Sequence, residues 1–301
     1  MSARREVRME RMFPDELEEA IGSCPVVYLP YGLCEPHGPQ NAVGLDALKA
    51  HAICRAAALA HGGLVAPPDY WHVHEVGLYA SWAAPRIGAA RPWLTAMPPW
   101  MHFKNVCYHV RAMDALGFEA AILVTGHYGP NWKDLKTVLR TLQPHFAMRM
   151  YGLPDFEANE PGFDGHGGDH AGKVETSLLW ALEPDAVDVS RFPAAADPGP
   201  HFAMGGDARE SDRRVGQRMV ADEVAWLARK AAELRDEYAG NGPEPRTPMT
   251  FSELEGIWSR EIEPGVPDFE SMQPGPGDPP PRDSQWWANY HPDFPPGKGR
   301  T

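Results

Sequence analysis

Long hydrophobic runs are missing from this sequence. No stretch approaches the roughly 18 consecutive apolar residues that a membrane helix needs, so a membrane is not an expected partner. The basic opening MSARREVRMERMF is not followed by the apolar core of a secretory signal, and the expected location is the cytoplasm. Cysteine is scarce: Cys24, Cys34, Cys54 and Cys107 form no close pair and no Cys-x-x-Cys, which fits reduced thiols better than a disulfide framework or a zinc ribbon. Positive charge is short too, with 28 Lys and Arg against 41 Asp and Glu for a net −13. With no dense basic run to offset that balance, nucleic acid is not an expected partner either. No internal repeat stands out, and no Ser/His/Asp nucleophile arrangement is evident.

What is present is an ordinary globular composition, 43% hydrophobic and 23% charged over 301 residues, enough for one large domain or two modest ones. Pro25 to Pro30 (PVVYLP) reads as a buried strand bounded by prolines, and the stretch behind it, Gly32 to Asp46 (GLCEPHGPQNAVGLD), organises the chain. Glu35 and His37 are two apart, so in an extended segment they share a face. Asp46 stands at the entrance of a helix expected over residues 46–61, with Leu48, Ile53, Ala56 and Leu59 as its apolar stripe and Gly62-Gly63 as its stop. Leu64 to Pro67 reads as a short strand. Residues 69–100 are aromatic and irregular, a composition that caps a pocket more often than it builds a sheet.

A helix is expected over residues 101–117, followed by the clearest strand, Glu119 to Thr125 (EAAILVT). Glycines then turn the chain into a helix from Trp132 to His145, which puts His127 at a strand's C-terminal edge, where ligand sites of open α/β sheets gather. Ala147 to Gly152 is a further candidate strand. Glu175 falls in the first turn of a helix beginning at Lys173, and a long amphipathic helix is expected from Ser211 to Tyr238. Alternation of strand and helix favours a mainly parallel sheet covered on both faces. The expected division is a domain over residues 1–239 and an arm over residues 240–301. That arm holds 13 of the 32 prolines together with Trp258, Trp286, Trp287 and Tyr290, and such aromatic content predicts an extended segment packed on the body or on a neighbouring subunit.

Glu35, His37, Asp46, His127 and Glu175 together offer oxygen and nitrogen donors suited to zinc, manganese or iron(II). Five donors exceed what one ion needs. They suit a pair of ions about 3.5 Å apart, with a carboxylate, most naturally Asp46, between them. His166 and Trp82 are weaker candidates for substrate contact, and Thr176 and Ser177 read as residues that cap or pack a helix.

Three blocks in a fixed order, GLCEPHGPQNAVGLD (Gly32 to Asp46), LVTGHYGPN (Leu123 to Asn131) and GDHAGKVETSLLWALEPDAVD (Gly168 to Asp188), resemble the creatininase family, with a weaker match at GGDARESDRRVG (Gly205 to Gly216). The resemblance implies a three-layer α/β/α fold, a dinuclear metal site, hydrolysis of a C–N bond in a small cyclic or formyl-type amide, and homo-oligomers, often hexamers. It implies that Glu35 and His37 bind different ions, that Asp46 bridges them, and that His127 is a further ligand. Creatininase itself has an acid two positions after that histidine, whereas this chain has Gly129; other members use the glutamate of the third block, which is Glu175 here. That departure tells against creatinine as the substrate. The second block is also interrupted by Tyr128 and Pro130, and the family's Gly-Thr motif is not evident. His170 matches a family histidine and, with Glu175, is the expected catalytic residue, holding an oxyanion or passing a proton to the leaving nitrogen. Two alternatives remain open: a peptidase-like or lactone-cleaving relative using the same metals, and a non-catalytic scaffold of the same fold.

Overall fold

A computed structural model describes residues 6–74, 80–88, 93–159, 168–240, 247–273 and 281–289. In chain order its elements are α1 (Pro14–Ser23), β1 (Val26–Tyr31), α2 (Leu45–His61), β2 (Leu64–Val65), α3 (Ala80–Ile87), α4 (Pro99–Ala115), β3 (Ala120–Thr125), α5 (Asn131–Leu142), β4 (Arg149–Pro154), α6 (Lys173–Leu182), α7 (Arg213–Gly240) and α8 (Phe251–Ile257), with short 3-10 turns in several of the connections and a π-helical turn at Trp258–Ile262. Among the described residues four strands run parallel in the order β2-β1-β3-β4. Helices cover both faces, so the fold is a three-layer α/β/α sandwich.

The period-two alternation of the central strands divides the core. Val27, Leu29 and Tyr31 of β1, with Ala121 and Leu123 of β3, join Phe103, Val106 and Val110 of α4 and Leu135, Val138 and Leu139 of α5. Val26, Tyr28, Ala120, Ile122 and Val124 turn the other way, toward Ala50, Ile53, Cys54 and Ala57 of α2 and Leu227, Ala231 and Leu234 of α7. With both faces covered, β1 and β3 are buried at every position, as hydrophobic strands of parallel sheets are.

Several details depart from the sequence reading. β1 runs through Pro30 to Tyr31 instead of stopping at the proline. The main-chain groups on that side of β1 bond to Asp69 beyond the end of β2, where the amide of Asp69 donates to the Pro30 carbonyl at 3.1 Å. A proline without an N–H therefore costs the sheet nothing there. The inward face of α2 is made of Asp46, Lys49, Ala50, Ile53, Cys54 and Ala57, while Leu48, Ala56 and Leu59 are only half-buried. α1 and α3 were not legible as helices. Residues 251–272 are helical and turn-rich rather than extended, and Leu254, Ile257, Trp258, Ile262, Val266 and Phe269 enter the core on the α4 and α5 side. Trp286 packs with Ala83 and Ile87 of α3 and with Ala203. All four cysteines are free. Among the described residues, no helix is long and apolar enough to cross a membrane.

Candidate metal centre

The C-terminal ends of the parallel strands carry the polar side chains. The loop after β1 supplies Glu35 and His37, and the glycine-rich turn after β3 supplies His127. Asp46 and Glu175 stand in the first turns of α2 and α6, where the unpaired amides of a helix N-terminus favour a negative charge. The start of α2 is wedged against both central strands. A Cβ on Gly32 would lie 2.3 Å from the amide nitrogen of Ala47, and one on Gly126 would lie 2.1 Å from the carbonyl oxygen of Asp46. Only glycine permits this approach, which brings Asp46 between the residues of the two strand ends.

The first and third blocks are tied together by their own polar groups. Asn41 Nδ2 donates to Thr176 Oγ1 at 2.9 Å and to the His37 carbonyl at 3.0 Å, and the Ala42 and Asp188 amides pair with the Ala186 and Gln40 carbonyls. Thr176 and Ser177 are thus structural: Ser177 Oγ accepts the Asp212 amide at the start of α7. Asp169 accepts the amides of Val174 and Glu175 at 2.8 and 3.0 Å, holding the first turn of α6.

Glu35, His37, Asp46, His127 and Glu175 converge on one buried volume. His127 Nδ1 lies 2.8 Å from Glu35 Oε1 and 3.3 Å from Asp46 Oδ2. His37 Nε2 lies 3.1 Å from Asp46 Oδ1, 3.6 Å from Glu175 Oε2 and 3.7 Å from Glu35 Oε1. Two triads with metal-ligand spacing result, Glu35–Asp46–His127 and His37–Asp46–Glu175, whose donor atoms lie within 4.8 Å of one another. Asp46 takes part in both, one oxygen toward each. A third grouping of the same spacing, Glu35–His37–His170, shares its first two residues with them.

The donor set fits divalent cations on two further grounds. Glu35 Oε1, His37 Nε2 and both Asp46 oxygens are buried without a properly directed hydrogen bond, an arrangement that is costly unless a cation completes it. His37 Nδ1 donates to the Glu35 carbonyl at 3.0 Å, which fixes the ring with Nε2 toward the acids. Burial alone would push His37 down, yet Asp46, Glu175 and Glu35 outweigh it and raise its pKa to about 10. Three buried acids that hold a proton so firmly form a place for positive charge. For Asp46 and Glu35 burial is again the largest influence and raises the pKa, but the imidazoles prevail: His37 and His127 lower Asp46, and His127 with His170 holds Glu35 well below the usual carboxylate range.

A cavity of about 230 Å³ opens over these groups, lined also by His74, Tyr128, Gly129, Gly168, Asp169 and His170. The His170 ring stacks on His37 at 4.5 Å between centroids, and its Nε2 pairs with the Pro36 carbonyl at 3.1 Å. Burial lowers the His170 pKa, and the charge of His37 adds to the shift. A larger groove of about 670 Å³ lies on the outer side of α5 and β4, but Lys136, Arg140, Arg149 and their apolar neighbours there offer no carboxylate and no imidazole.

The structure therefore brings together Glu35, His37, Asp46, His127, Glu175 and His170, all named from sequence. His166 lies outside the described residues, as does the side chain of Trp82. Sequence reasoning missed His74, whose Nε2 is 3.3 Å from Glu35 Oε2, and Lys49, whose Nζ donates to Glu175 Oε1 at 3.0 Å. Signals existed for both. His72 and His74 repeat the two-residue spacing of Glu35 and His37, and Lys49 lies three residues after Asp46, on the same face of α2.

Comparison with known proteins shows what the chain as a whole is similar to. The family profile described as creatinine amidohydrolase matches residues 10–232. A creatinine amidohydrolase of Pseudomonas putida is 28% identical over 194 residues, covering 58% of this chain and 71% of that protein. Among solved structures, a creatinine amidohydrolase superposes with a TM-score of 0.62 at 23% identity, covering 76% of this chain and 98% of the other. A manganese creatininase gives 0.61 at 23% identity with the same coverage. A protein of Bacteroides fragilis described as a putative creatinine amidohydrolase gives 0.59 at 20% identity, over 81% of this chain and 100% of that one. With residues 10–232, most of its length, matched by one family profile, the chain belongs to the creatininase family.

Proposed function

We propose that this protein is a metal-dependent hydrolase that opens a C–N bond of a small cyclic or formyl-type amide with two divalent cations. The observation that carries the reading is the pair of triads that share Asp46. One cation would be held by Glu35, Asp46 and His127, the other by His37, Asp46 and Glu175; imidazole and carboxylate donors suit zinc, manganese or iron(II). Bound there, the pair supplies Lewis acidity toward a carbonyl oxygen and a water made acidic enough to attack near neutral pH.

The chain's own residues do the rest. Asp46, backed by the main chain of both central strands, sets the spacing of the two halves. His170, with Nε2 donating to the Pro36 carbonyl, would take a proton from the attacking water at Nδ1 and pass it to the leaving nitrogen. Burial, with the neighbouring His37 adding to it, lowers the pKa of this ring and so favours its neutral form. The stacking on His37 restricts where that proton is delivered. Tyr128 and the glycines at 129 and 168 leave about 230 Å³, room for a small molecule rather than a polymer. Gly129 provides no acid at the position creatininase uses, so we place Glu175 in that role and propose a substrate other than creatinine.

The test pairs metal analysis of protein purified without chelator with a hydrolysis screen of small lactams, cyclic ureas, formamides, lactones and short peptides. About two ions per chain and turnover of an amide support the reading. A folded sample that takes up no divalent ion would sink it in favour of a scaffold, and turnover confined to lactones or peptides would move it to that chemistry. We further propose a homo-oligomer, a hexamer on the family pattern, which light scattering on the purified protein checks.

A further inference from the structure

We propose that Lys49 is the positioning residue of the Glu175 half of the centre: by holding Oε1 of Glu175 it leaves Oε2 as the one atom this carboxylate presents to a cation. The inference rests on the two-cation reading above. Lys49 stands one turn beyond Asp46 on α2, so the same helix face carries the shared ligand and the residue that aims its neighbour. Its side chain is fully buried, a rare state for lysine unless it is paired. Nζ donates to Glu175 Oε1 at 3.0 Å, lies 3.3 Å from Asp155 Oδ2, and sits 3.7 Å above the ring of Tyr128. The other oxygen of Glu175 accepts the Ala171 amide at 2.8 Å and faces His37 Nε2 at 3.6 Å.

Two effects of Lys49 oppose each other. An ammonium a few ångströms from a cation repels it, whereas a carboxylate with one oxygen tethered cannot rotate to chelate or swing away. Asp155, at 3.3 Å, offsets the ammonium charge as seen from the centre, so orientation outweighs repulsion. Removing a hydrogen-bond partner of a metal-ligating carboxylate typically costs 10–100-fold in affinity. The Glu35 half has a matching arrangement, with His74 Nε2 at 3.3 Å from the outer oxygen of Glu35. Each terminal acid is thus held on its far side, one by an imidazole and one by an ammonium.

The experiment uses the full chain, stripped and reloaded with Mn²⁺ or Co²⁺ alone, and measures ion stoichiometry, the two stepwise affinities and the Co²⁺ visible spectrum. Lys49→Met is expected to bind the first ion as wild type does and the second about 10–100-fold more weakly, with a changed Co²⁺ spectrum. Because Lys49→Met strands Asp155 in the interior, Lys49→Met/Asp155→Asn removes the orphaned charge and is expected to show the same selective loss. A structural role alone would lower the melting temperature and leave both affinities in place. If the folded double variant binds both ions as wild type does, the assignment of Lys49 is overturned while the two-cation reading stands. If wild type itself binds fewer than two ions, the reading falls and takes this inference with it.

Discussion

The donors of the centre are set in place by two different means. Glu35, His37 and His127 sit on loops at the ends of β1 and β3, whereas Asp46 and Glu175 stand in the first turns of α2 and α6. The loop residues owe their place to strand register: Tyr31 pairs with Thr125, so both strands stop level and their following residues meet. The helix residues owe theirs to close packing at glycine and to buried polar partners such as Lys49 and Asp169. Strand ends fix where the donors gather, and helix starts fix how they point.

The sharpest way to break this comparison is Asp46→Asn, because Asp46 belongs to both triads. Bound metal is expected to fall from about two ions per chain toward none, with activity lost and the circular dichroism spectrum retained. Unchanged metal content in that variant would remove the bridging role. Glu35→Gln and Glu175→Gln should separate the halves, each losing one ion and retaining the other. Metal analysis that shows identical losses would mean the triads are not distinct sites. Leu123→Ala, on the α4 and α5 side of β3, should cost about 3 kcal/mol in denaturant unfolding while leaving stoichiometry intact. Loss of an ion in that variant would show that the centre depends on the whole sheet and not on its strand ends alone.

The remaining prediction is a pH dependence. In ion-stripped protein the acids raise His37 from its ordinary 6.5 to about 10, so the folded state holds this proton more firmly than the unfolded chain does. The stabilisation is complete below about pH 6.5 and is lost as pH rises through about 10. Melting temperature in chelator should therefore decline by a few degrees across that window. Protein loaded with Mn²⁺, whose His37 Nε2 would hold the ion instead of the proton, should not show this decline. Parallel curves with and without metal would argue that His37 is not a ligand.

Much of this was legible in the residues. EAAILVT announces a buried strand because its apolar run is short and β-branched, and the strand-glycine-histidine order places His127 without any structure. Glu35 and His37 follow from the same logic. What stayed hidden obeys no hydrophobic period. Lys49 reads as a solvated helix lysine until Asp155 and Glu175, more than a hundred residues away, are brought against it. His74 is lost among the aromatic residues of 69–100, where neither period 2 nor period 3.6 prevails. The segment after residue 250 looked extended because of its prolines, yet Thr250 and Glu253 form a reciprocal cap that starts α8. Pro264 and Pro267 fall in the 3-10 turn Glu263–Asp268, beyond the π-helical turn that continues α8.

The contact of Gly32 and Gly126 with the first turn of α2 has a consequence for anyone who alters this protein. Because peptide atoms, not side chains, set the distance between the two strand tips and Asp46, that spacing is insulated from drift in the surrounding residues. A single methyl group at either glycine would reach the chemistry from below.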